Sequence, residues 1–129
     1  MRVLVTGASG YVGWAVVHQL RTRHRVVALV RGGPPGFPED IEVRRGDVED
    51  TVDVRGIDAV VHLAARSQVR ESVANPAAVW RTNVSGTSIL LSALHAEAER
   101  TGTPARLVFA STGSVYARRP SSRSPKRPD

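Results

Sequence analysis

The residues best equipped for chemistry stand at the very start of the chain: Thr6-Gly7-Ala8-Ser9-Gly10-Tyr11-Val12-Gly13. Gly7 permits a tight turn, Gly10 lets backbone come close to a pyrophosphate, and Gly13 lets a helix pack hard against the strand before it. Such a loop opening a helix turns free backbone amides, and the positive end of the helix dipole, toward an anion. The chemistry implied is phosphate binding. The four histidines, His18, His24, His62 and His95, are scattered, and acids and histidines form no metal-ligand spacing. With no cysteine, thiolate metal sites, disulfides and cysteine nucleophiles are excluded.

The elements that must position this loop follow from the hydrophobic pattern. Arg2–Thr6 is a β-branched run ending in the glycines, as a buried parallel strand would be. Val12, Ala15, Val16 and Leu20 recur at helical spacing from Tyr11 to about Thr22. Further strands are expected at Arg25–Val30, Ile41–Arg45, Asp58–Leu63 and Ala105–Ser111, with a turn at Gly32-Gly33-Pro34-Pro35-Gly36. Asn75-Pro76 has the form of a helix start, and the helix it opens is expected to run to about Arg100 before Gly102. Its apolar stripe would be Trp80, Val84, Thr87, Leu91 and Leu94. Strands alternating with helices predict an α/β fold, a Rossmann-type doubly wound parallel sheet of five strands, incomplete after the fifth.

Its 129 residues suit one domain, expected over residues 1–116. The net charge of +6 is mostly local. Arg118, Arg119, Arg123, Lys126 and Arg127 against Asp129 hold four of the six, whereas residues 1–116 carry 13 basic and 11 acidic side chains. Residues 117–129 lack apolar periodicity and are expected to be a disordered basic Pro/Arg/Ser tail. No aromatic residue interleaves with the tail's cations, so nucleic acid is not the expected partner. No apolar run approaches the roughly 20 residues of a membrane span, and no signal peptide is recognised. A soluble, cytoplasmic setting is expected.

The G-x-x-G-x-x-G spacing led by Thr6 resembles the extended short-chain dehydrogenase/reductases, the nucleotide-sugar epimerase/dehydratase family. Four further matches follow in order: Gly46-Asp47-Val48, His62-Leu63-Ala64-Ala65, Asn83-Val84-Ser85-Gly86-Thr87 and Ser111-Thr112-Gly113-Ser114-Val115-Tyr116. The segment Val69–Pro76 looks most like the UDP-glucose/UDP-galactose 4-epimerases. The resemblance implies an NAD(P) cofactor on Gly7, Gly10, Tyr11, Val12, Gly13, Asp47, Val48, Leu63, Ala64, Ala65, Ser67 and Asn83, with no metal. Asp47 and Val48 would hold adenine, and the small residues after His62 would let ribose and nicotinamide pass. Arg31 closes the second strand where an acid would accept from a ribose 2′-hydroxyl, so NADP is favoured over NAD, unless Arg31 is only a solvated strand-end cation.

By the same resemblance Thr112 is the helper hydroxyl of catalysis; the alternative is a strand-end threonine satisfied by backbone. The family's general acid/base, a Tyr with a Lys four residues later, is absent. Four residues after Tyr11 and Tyr116 stand Ala15 and Pro120, and the single lysine, Lys126, has Ser122 four residues before it. The composition changes directly after Tyr116, which is expected of a truncated or frameshifted reading frame; the alternative is a genuine disordered tail on a small cofactor-binding protein. Three readings follow: an epimerase/dehydratase fragment that cannot turn over alone, a catalytically silent NADP-binding sensor or partner module, and a nucleic-acid-associated protein working through its tail. A nucleotide-sugar substrate is expected only in a full-length relative. The uncovered edge after the fifth strand predicts self-association.

Overall fold

Val3, Leu4 and Val5 are apolar on both sides of the strand, which suits a position at the centre of a sheet covered on both faces. In the computed structural model, which describes residues 1–32 and 36–112, β1 (Arg2–Thr6) holds that position. The remaining strands are β2 (Arg25–Val30), β3 (Glu42–Arg45), β4 (Ala59–His62) and β5 (Arg106–Phe109). All are parallel, in the order β3-β2-β1-β4-β5. The chain builds outward from β1 to β3, then crosses back to start again at β4. The order therefore reverses between β1 and β4, and loops from both strands open a crevice there.

Side-chain alternation divides the core into two layers. Leu4, Val27, Leu29 and Val60 face one way, with Val48, Val52, Val54, Ile57 and Leu90. Val5, Val26, Ala28 and Val30 face the other, with Ala8, Val17 and Ile41. Helix α1 (Tyr11–Leu20) covers the second layer, and α4 (Thr87–Thr101) covers the first. The doubly wound Rossmann-type sheet is as the sequence predicts.

The long helix differs from expectation. A short helix α2 (Val69–Ala74) precedes Asn75, which then caps α3 (Pro76–Trp80) by accepting from the Ala78 amide at 3.1 Å. Between α3 and α4 the chain widens into a π-helical segment, Arg81–Gly86, before Gly102 ends α4 with φ +70°. Of the expected stripe, Trp80, Val84 and Leu91 are exposed, Trp80 at 64%, whereas Thr87 and Leu94 turn inward, to His62 and to the core. The buried row is Ala78, Thr82, Gly86 and Leu90, each four residues from the last. Four-residue steps keep one face on the sheet through the widened turns, and small residues let the helix come close. A Cβ on Gly86 would stand 2.9 Å from Val48 Cγ2 and 3.2 Å from the Val48 carbonyl oxygen.

β5 is exposed along its length: Leu107, Val108 and Phe109 all retain substantial accessibility. Gly113–Tyr116 of the last motif, the basic tail 117–129 and Gly33–Pro35 lie outside the described residues. No helix among the described residues is long and apolar enough to cross a membrane.

Candidate dinucleotide site

The glycine loop is shaped by two close approaches. Gly7 has φ +66°, a left-handed conformation costly to other residues, and a Cβ there would lie 2.8 Å from the Ala64 nitrogen and the Leu63 carbonyl carbon. A Cβ on Gly13 would collide with the Gly7 carbonyl. The Gly10 amide donates to the Gly7 oxygen at 3.0 Å, and the Trp14 amide donates to the Gly10 oxygen at 2.8 Å. Gly10 is the N-cap of α1, with no side-chain cap and no acidic residue in the first turn. The amides opening α1 are therefore left for an anion.

Two cavities lie at the C-terminal ends of the strands, the first of them against this loop. The first, about 210 Å³, is lined by Gly7, Ser9, Gly10, Leu29, Arg31, Gly46, Asp47, Val48 and Thr82. The second, about 350 Å³, is lined by His62, Arg66, Ser67, Asn83, Thr87, Phe109, Ala110, Ser111 and Thr112. Leu63, Ala64 and Ala65 line both. The pair forms one crevice running from the end of β2 across the switch point to the end of β5. Two compartments joined by small side chains suit a ligand of two aromatic ends linked by phosphates.

The first cavity thus gathers Gly7, Gly10, Arg31, Asp47 and Val48 from the sequence-based set; the second gathers Ser67, Asn83 and Thr112. Tyr11, Val12 and Gly13 line neither. Tyr11 is 96% exposed on the first turn of α1, and Gly13 is buried beneath the loop. Val48 is also a core residue, held between the first cavity and Gly86. Arg31 stands 3.8 Å from Asp47, a loose ion pair, and its side chain is 64% exposed at the mouth of the first cavity.

The sequence did not point to the polar frame behind the crevice. Asn83 Oδ1 accepts from the Arg66 amide at 2.8 Å, and Asn83 Nδ2 donates to the Arg66 carbonyl at 2.9 Å. That bidentate clasp fixes the loop after β4 to the π-helical segment. The Arg66 guanidinium donates to Thr82 Oγ1 at 3.0 Å and pairs with Glu71, while Thr82 donates to Glu49. Buried His62 bonds Thr6 and Thr87. Burial holds this imidazole's pKa below its ordinary value. The signal for Arg66 was present as a cation directly after two alanines; nothing local marks the His62 partners, 56 and 25 residues away. Among the described residues no cluster of histidines and acids could hold a metal.

The chain is similar to known proteins. The sequence model of the NAD dependent epimerase/dehydratase family matches residues 3–128. A UDP-glucose 4-epimerase of Streptomyces lividans is 39% identical over 126 residues, covering 89% of this chain and 37% of its own length. A dTDP-glucose 4,6-dehydratase of Streptomyces antibioticus is 36% identical over 135 residues, covering 90% and 38%. Among solved structures, MoeE5 in complex with UDP-glucose and NAD superposes with TM-score 0.74 at 34% identity, over 91% of this chain and 38% of that one. The UDP-glucose 4-epimerase of Thermus thermophilus in complex with NAD gives 0.74 at 33%, over 88% and 38%. The chain thus spans well under half the length of these relatives.

Proposed function

The chain belongs to the NAD dependent epimerase/dehydratase family, and from that premise we propose that it is the dinucleotide-binding part of a nucleotide-sugar epimerase/dehydratase-type oxidoreductase, without turnover of its own. The observation that carries this reading is the fit of the crevice to its ligand. The backbone of Gly7 and Gly13 leaves no room for a Cβ, and the α1 amides have no side-chain cap. Pyrophosphate would lie on those amides, adenosine in the cavity of Asp47 and Val48, and nicotinamide in the cavity of Asn83 and Thr112. When bound there, the cofactor supplies a hydride acceptor and donor for a sugar carbon.

This chain's own residues would bind and orient. Leu63, Ala64 and Ala65 would keep water from the join between the two compartments, and the Asn83 clasp would hold that wall. Proton transfer is what the sequence lacks. Thr112 carries a hydroxyl, but a threonine hydroxyl is a poor base at neutral pH, and no Tyr–Lys pair is present in the chain. That absence favours a second reading, a silent sensor or partner module with the same site. A partner-dependent activity separates the two.

The cofactor preference we assign is NADP, because Arg31 presents an exposed guanidinium at the cavity mouth and its pairing with Asp47 is loose. The test is calorimetric titration of the full chain with NAD and NADP. It is accompanied by product chromatography with UDP-glucose, UDP-galactose and dTDP-glucose. Binding without product supports the reading; steady turnover by the chain alone overturns it.

A further inference from the structure

His62 is 2% exposed and bonded at both ring nitrogens, which allows its proton to be located. Thr87 Oγ1 lies 2.8 Å from the Asn83 carbonyl oxygen, an acceptor only, so the Thr87 hydroxyl proton is spent there. Thr87 must then accept from His62 Nε2, 3.0 Å away. At the other end, Thr6 Oγ1 already accepts from the Leu63 and Ala64 amides, both at 3.2 Å. Its one proton is directed to His62 Nδ1 at 2.7 Å. The two hydroxyl protons and the ring proton each find an acceptor only when the ring is neutral and carries its proton on Nε2.

All the partners of this chain of bonds but the buried Thr6 line the crevice. Leu63 and Ala64 form the join of the two cavities, and Gly7 packs on their backbone. Asn83 clasps Arg66. We infer that His62 is a positioning residue for the dinucleotide site: as the neutral Nε2–H tautomer it locks the glycine loop, the Leu63–Ala64 wall and the Asn83-bearing helix into one frame, and protonation at Nδ1 opens that lock. This inference rests on the dinucleotide reading of the crevice. A proton on Nδ1 would meet the Thr6 oxygen head-on and leave the Thr6 hydroxyl proton without an acceptor. The Ala64 amide would lose its anchor in consequence, and the Leu63 amide would keep only its bond to the Thr6 carbonyl at 3.3 Å.

Among the described residues no acid stands by to compensate. On β1 and β5 the charged side chains, Arg2 and Arg106, sit at the opposite end of the sheet from His62. On the helical side Arg81 pairs with Glu49, Glu97 and Arg100 pair with each other near the far end of α4, and His95 and Glu99 are exposed. In the loop that follows β4, Arg66 shares the second cavity and is paired with Glu71. Phe109 covers the ring from β5, with centroids 5.8 Å apart.

The test uses the full chain and NAD, since the 2′-phosphate of NADP itself titrates near pH 6. Wild-type affinity is expected to hold from about pH 8 to 7 and then fall toward about pH 4.5, approaching about tenfold per pH unit once the native imidazole titrates. His62→Gln, which keeps a donor but cannot titrate, should give a level profile. His18→Gln, altering a half-buried imidazole stacked on Trp14 of α1 and lining neither cavity, should keep the wild-type slope. Imidazole ¹⁵N spectra of the wild type should show a protonated Nε2 and an unprotonated Nδ1, with acid moving the Ala64 and Asn83 amide resonances alongside the ring. A level wild-type profile, a His62→Gln profile that still falls, or a protonated Nδ1 at neutral pH overturns the inference. If the spectra behave as expected but NAD binds at no pH, the dinucleotide reading fails and the lock stands alone.

Discussion

Gly7 and Ala64 are packed backbone to backbone: a Cβ on residue 7 would stand 2.8 Å from the Ala64 nitrogen. Distant in sequence, they meet because β1 and β4 are neighbours in register, with Thr6 opposite His62. The first glycine of the loop is thus fitted to the wall of the crevice as well as to its own turn.

Replacing that glycine tests both demands. Gly7→Ala meets a left-handed φ of +66° and a clash with backbone that cannot rotate away. The conformation alone costs roughly 1–2 kcal/mol, and forced packing adds about 1–3 kcal/mol. A lowered denaturant midpoint and loss of NAD binding are expected; a variant as stable as wild type would show the loop free to move off Ala64.

Gly86→Ala sets two effects against each other. Inside a helix, alanine gains about 1 kcal/mol over glycine. Here the added Cβ would sit 2.9 Å from Val48 Cγ2 and 3.2 Å from the Val48 oxygen. The methyl can turn; the carbonyl cannot. Net destabilisation of up to about 2 kcal/mol is expected by chemical denaturation, with weaker NAD binding as Val48 shifts into the first cavity. A gain in stability would mean that the helix–loop contact is slack.

Much of the architecture is readable from the chain, and the exceptions have a common cause. β1, the glycine loop and α1 announce themselves because apolar runs, glycine and helical spacing agree locally. The buried row Ala78, Thr82, Gly86, Leu90 does not, since close packing there selects small residues that carry little hydrophobic signal. The bulky Trp80, Val84 and Leu91 draw the eye and point outward. Helix α2 buries no residue, so it leaves no periodic trace. The His62 frame joins residues far apart in sequence and follows only from strand register.

Arg31→Ala separates the cofactors. A charge-assisted hydrogen bond to a 2′-phosphate is worth roughly 1.5–3 kcal/mol, about ten- to a hundredfold in affinity. NADP binding should fall by that factor and NAD binding little. Equal losses for both would leave Arg31 a solvated cation beside Asp47.

The open edge at β5 should make the chain self-associate. Leu107, Val108 and Phe109 are exposed on a strand paired only on its β4 side among the described residues. Sedimentation at rising concentration should show a growing average mass, reduced by Val108→Lys. A monodisperse monomer at high concentration would contradict this.

The most direct test of the account is calorimetric titration of the folded chain with NAD, beside Gly13→Val, in which the added side chain cannot clear the Gly7 carbonyl. One NAD per wild-type chain, absent from the variant, is the result the account predicts. A wild-type chain that is folded by circular dichroism and binds no NAD would contradict it.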